Sequence, residues 1–362
     1  MNTELGERED NSRSLSHSPL GRDKHEHNHD NRPLASRARI TWLAIGVAGV
    51  VALFVIRGFS ADLDVTLPNQ AQDLLTLAIS VIVESLPFVI LGILLSIIVQ
   101  VWIPEAWLIR YLPKNPWLRR AAISFLGVLL PVCECGNVPL ARGLMVKGFT
   151  VSESMTFLLA APILNPITII TTHQAFGWDG GILIARLVGG FVIANLVGWL
   201  FSLHRDQDSL LTARFAAECR VPDQHAHSET RMQQSLTLFV REASVMMPAL
   251  FIGSLVAGAI QVLVPRAVLV SLGSNPLWSV LAMMVLAFVI AVCSNVDAFF
   301  ILPFANTFTS GSIATFLVFG PIIDIKMLAL LRTTFTTRVL VQLTVLVGLL
   351  SALVGLVVNV VA

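Results

Sequence analysis

Pro131-Val-Cys-Glu-Cys-Gly136 ends an apolar stretch at residues 121–132, and Pro139 follows three positions later. Glycine and proline both disfavour an unbroken helix at this point. A helix needs about 20 apolar residues to span the hydrocarbon core of a bilayer. The stretch is therefore too short to cross alone. It predicts either the first arm of a re-entrant hairpin that returns through residues 138–147, or a short full span.

The rest of the chain is similarly apolar: of 362 residues, 55% are hydrophobic and 13% are charged, whereas soluble domains carry about 25% charged residues. This composition predicts an all-α polytopic membrane protein that contacts the lipid bilayer through eight or nine apolar segments. Besides residues 121–132, the apolar stretches are residues 40–56, 74–103, 157–171, 181–203, 236–264, 277–292, 313–331 and 339–362. A net charge of +1, with no basic patch interleaved with aromatic residues, argues against nucleic-acid binding.

The positive charges favour the hairpin over the full span. Residues 1–39 are polar and predict a disordered cytosolic tail, and residues 40–57 predict a first transmembrane anchor. With a cytoplasmic amino terminus, the arginine and lysine residues after the second span also lie inside, as the positive-inside rule requires. A hairpin keeps the arginine-rich linker at residues 205–235 inside as well, whereas a full crossing places it outside. The linker separates two halves, residues 71–204 and 236–362.

The two halves repeat one another. Landmarks of the first half recur 159 to 161 residues later, with Pro87 matching Pro248, Cys133 matching Cys293, and residues 157–165 matching residues 316–324. With a hairpin in each half, the equivalent spans run in opposite directions, which predicts two inverted repeats with broken or re-entrant helices. Such repeats place a substrate site near the membrane midplane, on interrupted helices where the halves meet.

The two breaks carry soft ligands. Cys133 and Cys135 are one residue apart in a segment that cannot be regular helix, and Cys293 occupies the equivalent break. Thiolates select soft acceptors such as Cu(I) or As(III), so the three cysteines predict a metal or metalloid site. The alternative is that each buried cysteine serves as a small apolar residue.

Polar groups at membrane depth are costly and mark pathways. The candidate substrate-binding residues are therefore Cys133, Glu134, Cys135, Asn165, Cys293, Asn295, Asp297, Asp324 and Lys326. Glu134 or Asp297 can carry a proton and couple transport to a gradient. Asp324 and Lys326 can form a simple ion pair or lie near a membrane interface. Glu84 is equally suited to satisfying the backbone near the Pro87 kink.

These motifs resemble the predicted-permease family that includes the organoarsenical permease ArsP. The resemblance runs from about Glu84 to about Phe335 and is carried, in order, by residues 133–136, Pro139, Arg142, residues 147–148, 159–166, 293–298 and 319–326. It implies a multi-pass inner-membrane permease that exports trivalent arsenicals or soft metal ions. Asn295 departs from the small or acidic residue that relatives often carry there, which leaves the substrate open.

The sequence also bears on the energy source and on alternative functions. The chain has no phosphate-binding loop for ATP, so a gradient or an accessory subunit must supply energy, and we expect no cofactor. The Cys133/Cys135 pair also fits a membrane thiol oxidoreductase, although a C-x-C pair is only loosely similar to redox motifs. An assembly protein would leave the breaks unexplained. His25, His27 and His29 form a weak candidate metal site in the tail, and a homo-oligomer is also compatible with the sequence.

Overall fold

The computed structural model describes residues 69–104, 110, 112–129, 132–220, 230–263 and 276–361, together with the helical residue 48. The predicted tail, its three candidate histidines and all of the first anchor except residue 48 lie outside these residues. Fourteen α-helices form within the described part of the chain. They are α1 (Asn69–Ile97), α2 (Pro116–Ser124), α3 (Leu126–Leu129), α4 (Glu134–Val146), α5 (Val151–Leu164), α6 (Pro166–Phe176), α7 (Ile182–Ser202), α8 (Ala213–Arg220), α9 (Arg231–Leu263), α10 (Pro276–Ile290), α11 (Asp297–Ile301), α12 (Ser310–Phe319), α13 (Ile325–Leu331) and α14 (Thr337–Val361).

The all-α prediction is confirmed. Among the described residues, β-pairing is limited to one isolated bridge between Leu211 and Phe335. Five helical stretches in this part of the chain are long and apolar enough to cross a membrane: Gln70–Trp102, Val151–Phe176, Ile182–Ser202, Arg231–Leu263 and Thr337–Val361. Helices α10 and α12 are apolar but shorter. The count of eight or nine segments stays a prediction.

Helices α2, α3 and α4 form a hairpin whose two ends lie together. At the start of α2, Arg119 Nε lies 2.6 Å from Glu153 Oε1 at the start of α5. Gly127 in α3 packs against Ala161 near the end of α5. Thr150 begins α5 with a capping box, immediately after α4 has ended. Helices α2 and α3 therefore run alongside α5, and α4 returns to the end from which α2 started.

A second hairpin, α10 to α11, opens toward the other end of the bundle. Ser279 Oγ in α10 donates a 2.9 Å hydrogen bond to Ser312 Oγ at the start of α12. Near that end, Gly180, in the turn that precedes α7, faces Ser310. The first hairpin instead opens toward the linker that follows α7, because the Ser152 amide donates to the Gln207 side chain there. We call this the linker end. The opposed hairpins are what an inverted repeat would produce.

The two long helices α1 and α9, which carry the matched prolines, pack against each other in opposite directions. The Arg231 guanidinium, at the start of α9, lies over the Trp102 ring just beyond α1. Near the other end of the pair, Gly258 of α9 lies against the Leu74 carbonyl of α1. The antiparallel pair therefore forms a spine shared by both halves.

The linker is folded over one end of this bundle. The Thr212 amide donates to the Thr334 carbonyl at 2.9 Å, and the Thr336 amide donates to the Leu210 carbonyl at 3.1 Å. Phe215 of α8 is 1% exposed. Residues 208–220 are thus packed against the loop between α13 and α14.

Candidate functional site

Both breaks have the same backbone turn. In the first, the Cys133 carbonyl accepts hydrogen bonds from the amides of Gly136 and Asn137 at 3.1 and 3.2 Å. In the second, 160 residues later, the Cys293 carbonyl accepts from Val296 and Asp297 at 3.0 and 3.1 Å. Cys133 is the N-cap of α4, and Cys293 comes immediately before the turn at residues 294–296 that leads into α11.

Two glycines bring the first break against the spine helix α1. A Cβ added to Gly92 would lie 2.1 Å from the Gly136 carbonyl oxygen, and a Cβ added to Gly136 would lie 2.4 Å from the Phe88 carbonyl oxygen. Real side chains do not tolerate such contacts, so the close approach of α1 and α4 requires glycine on both sides.

The structure brings the three predicted cysteines of the breaks together. One ligand atom each from Cys133, Glu134 and Cys135 lies within 4.8 Å of the other two. The Cys133 thiol is adjacent to those of both Cys135 and Cys293, and the Cys293 thiol lies 3.9 Å from Glu134 Oε2. All four side chains are at most 3% exposed, and the thiols are free. We call this group the thiol cluster. Cys219, on α8, is not part of it.

Glu134 joins the two halves. Its Oε1 accepts from Lys326 Nζ at 3.2 Å, and its Oε2 accepts from the Ser294 hydroxyl at 2.9 Å and the Ser294 amide at 3.3 Å. Because these donors come from the second break and from α13, the carboxylate of the first break is held entirely by the second half.

Lys326 binds more than its sequence neighbour. Its ammonium is 3.9 Å from Asp324 Oδ2, farther than from Glu134, and it also donates to the Ala291 carbonyl at 3.3 Å. Ala291 has a φ of 52°, a left-handed conformation that costs an L-residue about 1–2 kcal/mol. Lys326 therefore does more than pair with Asp324, because its ammonium also holds the backbone of the second break.

Arg186 is a site residue that the sequence analysis missed. Its guanidinium makes a bidentate contact with Asp297, at 2.9 Å to Oδ1 and 2.6 Å to Oδ2, and also donates to Thr172. Arg186 is fully buried and Asp297 is 2% exposed. Its only sequence signal is a lone arginine in the apolar stretch 181–203, since its partner is 111 positions away.

The remaining predicted residues shape the ends of helices. Asn165 accepts from the Ile167 amide to cap α6 and donates to the Val132 carbonyl at the first break. Asp324 caps α13 by accepting from the Met327 amide. Asn295, half-buried, accepts from the Thr168 hydroxyl of the first half at 3.4 Å.

A second charge cluster closes the linker end. Arg142, on the same helix α4 that begins at Glu134, lies 2.9 Å from Glu242 and 3.1 Å from Glu218. Its guanidinium stacks over the Phe215 ring, 4.0 Å from the centroid. The return arm of the first hairpin is therefore tied to both α9 and the linker helix α8.

The thiol cluster is buried, and the most prominent groove on the described part of the chain lies elsewhere. A groove of about 710 Å³ between α7 and α14 is lined by apolar residues such as Ile184, Val188 and Leu353 and contains none of the predicted site residues. Its position on the outside of two apolar helices suits lipid. The cluster is closed off from solvent in this conformation.

Comparison with known proteins places the chain in a family. A family model named ArsP_1 and described as a predicted permease matches residues 70–360. The chain is 34% identical over 280 residues to UPF0718 protein YcgR of Bacillus subtilis, covering 75% of this chain and 92% of the relative. It is 34% identical over 277 residues to a protein of Streptococcus mutans named as a putative two-component membrane permease complex subunit, covering 76% and 91%. UPF0718 protein YraQ of Escherichia coli is 28% identical over 274 residues, covering 74% and 75%.

No solved structure matches the chain. The residues that the family model matches include nearly all of the described helices, both breaks and the spine. The chain therefore belongs to the ArsP_1 predicted permease family and is a multi-pass membrane transporter.

Proposed function

We propose that this permease exports a thiophilic metal ion, a trivalent metalloid or an organoarsenical, and that the thiol cluster is its substrate site. One observation carries the proposal: thiols from both breaks, which are distant in sequence, converge around the buried carboxylate of Glu134. Soft ligands select soft acceptors, and a three-sulfur set suits Cu(I) or As(III).

The position of the cluster favours transport over storage. It lies where two interrupted segments of opposite orientation meet, and transporters built from inverted repeats bind substrate at such a point. We propose that the two halves form this kind of repeat. Rocking of one half against the other then exposes the cluster first to the linker end and then to the opposite end.

The proposed topology sets which end of the protein faces which compartment, and export is part of the proposal. We place the protein in the inner membrane, with the amino terminus and the arginine-rich linker in the cytoplasm. The linker end then faces the cytoplasm. Substrate enters there and leaves at the end marked by Gly180 and Ser310. A gradient or a partner protein supplies the energy. The name of the Streptococcus mutans relative, a subunit of a two-component complex, supports an accessory subunit.

The alternative is a thiol oxidoreductase that uses Cys133 and Cys135. Those thiols are 1% and 0% exposed, so a soluble redox partner has no access to them in this conformation. A small ion needs a narrower opening to reach these thiols than a protein partner does, and this difference favours the transport proposal.

The test compares cells that lack the protein, cells that overproduce it and cells that overproduce single Cys→Ser variants. Growth and intracellular metal are measured across arsenite, methylarsenite, copper, zinc and cadmium. We expect overproduction to lower the intracellular content of at least one thiophilic species, and the C133S, C135S and C293S variants to lose the effect. Cys219→Ser is the matched control and keeps it. Unchanged resistance in all three cluster variants would reject the thiol site.

A further inference from the structure

A single ammonium serves two buried carboxylates beside the thiol cluster. Lys326 Nζ lies 3.2 Å from Glu134 Oε1 and 3.9 Å from Asp324 Oδ2. All three residues are at most 1% exposed. In so little water, each uncompensated charge costs several kcal/mol, so the sharing of one cation between two anions is unstable unless one of them is neutralised.

The two carboxylates are not equally supplied with hydrogen-bond donors. Glu134 receives the ammonium of Lys326 together with the hydroxyl and amide of Ser294. Asp324 receives one backbone amide at Oδ1, and its Oδ2 has no hydrogen-bond partner among the residues that the structure describes. The negative charge is therefore better stabilised on Glu134, and the unpartnered oxygen of Asp324 is the natural place for a proton.

The surrounding groups increase the excess of acidic side chains over the single ammonium of Lys326. Glu84 of α1 lies within electrostatic range of both Lys326 and Glu134, which adds a third acidic group to the one ammonium. The Cys135 and Cys293 thiols also lie within electrostatic range of Lys326. The neighbouring buried cation, Arg186, is committed to Asp297 by its bidentate contact. Asp324 is thus left without a counter-ion of its own.

We propose that Asp324 is a proton-binding site that carries the coupling proton of this permease. With Lys326 on Glu134, Asp324 holds one proton. A soft cation binds cysteine as thiolate, so its entry releases the proton of each thiol that holds it. When the ion also takes Glu134 as a ligand, the ammonium of Lys326 turns to Asp324 and the Asp324 proton leaves as well, one proton more than the thiols supply. In this proposal Asp324 carries the coupling proton instead of Glu134, which Ser294 and Lys326 hold, or Asp297, which Arg186 holds.

The coupling step rests on the proposed function, but the protonation of Asp324 is measurable without any substrate. Infrared spectra of the purified protein at neutral pH are expected to show the C=O stretch of a buried protonated carboxyl. The band should be absent in Asp324→Asn and retained in the matched control Glu84→Gln. Asparagine also caps helices, so this variant keeps the bond to the Met327 amide and is expected to fold. If it does not, Asp324→Glu serves instead and should shift the band.

A band that persists in Asp324→Asn, or one that disappears in Glu84→Gln alone, would overturn the assignment. The coupling is then tested with silver(I) as the probe, by measuring protons released per bound ion in weakly buffered solution. Wild type should release one more proton per silver ion than Asp324→Asn. Equal release would overturn the coupling. A wild-type protein that binds no silver would reject the soft-metal site while leaving the infrared result to decide the protonation.

Discussion

The Glu134 carboxylate, at the break in the first half of the chain, lies 3.2 Å from the Lys326 ammonium in α13 of the second half. Both side chains are buried. The attraction between two opposite charges is strong in this environment. Removing one partner lowers the stability of the protein by more than the pair contributes, because the other charge is left buried without compensation. The pair therefore couples the stability of the two halves.

A double-mutant cycle tests this coupling. We expect Lys326→Met to lower the free energy of unfolding by about 3–5 kcal/mol, because it leaves Glu134 buried and unpaired. Glu134→Gln should lower it by less, because Lys326 still has Asp324 as a partner at 3.9 Å. The double variant should be clearly more stable than the sum of these losses predicts, because it leaves no unpaired charge at this position. Unfolding in mixed micelles with a denaturing detergent measures all four proteins. Losses that add to within about 0.5 kcal/mol would show that the two residues act independently.

The contact between α1 and α4 depends on Gly92. In Gly92→Ala, the new Cβ would lie 2.1 Å from the Gly136 carbonyl oxygen, and backbone cannot move aside as a side chain can. We expect a loss of about 1–3 kcal/mol in stability, together with weaker binding of soft metal, because α4 carries Glu134 and Cys135. Unfolding and metal binding measured on the same preparation check both effects.

Gly348→Ala is the control for that substitution. Its Cβ would meet the flexible end of Met284 at 3.2 Å, so a small shift relieves the contact. Equal effects of the two glycine substitutions on metal binding would mean that the α1–α4 approach does not position the first break.

The sequence predicted the two breaks and their equivalence because Gly136, Pro139 and the matched cysteines are local signals that hydropathy and spacing reveal. It did not predict Arg186 or the burial of Arg142 beneath the linker. An arginine in an apolar stretch gives no indication of its partner when that partner lies in the other half. The sequence suggested Asp324, two positions away, as the partner of Lys326. The closer contact is with Glu134, which is too far away in the sequence for the pairing to be recognised there.

The strained residue Ala291 provides a third prediction. Ala291→Gly removes about 1–2 kcal/mol of left-handed strain and adds about 0.5–1 kcal/mol of backbone entropy in the unfolded chain. We therefore expect stability to rise by about 0.5–1 kcal/mol, measured by detergent unfolding. Ala287→Gly, the same change one turn earlier within α10, should instead lower stability by about 1 kcal/mol. Destabilisation by both would argue against strain at Ala291.

The linker thiol provides a pH-dependent prediction. Burial raises the pKa of Cys219 from 9.0 to about 11, although the nearby Arg142 acts in the opposite direction. A raised pKa keeps this thiol neutral, and its contribution to folding is present below pH 9 and lost as the pH rises through about 11. At pH 8 the thiolate fraction is about 100-fold lower than in the unfolded chain.

Maleimide labelling, followed by mass spectrometry of the peptide that contains Cys219, measures this difference. The native protein should react much more slowly than the denatured protein at pH 8, and the gap should narrow toward pH 11. Equal rates at pH 8 would show that α8 does not pack on the bundle in solution.

In the proposed mechanism, soft substrate crosses the membrane through the thiol cluster. The direct measurement is the uptake of methylarsenite and copper(I) into proteoliposomes that contain purified wild type, Cys133→Ser or Cys219→Ser. We expect protein-dependent uptake of at least one of these species by wild type and Cys219→Ser, and loss of that uptake in Cys133→Ser. Uptake by Cys133→Ser at the wild-type rate would contradict it.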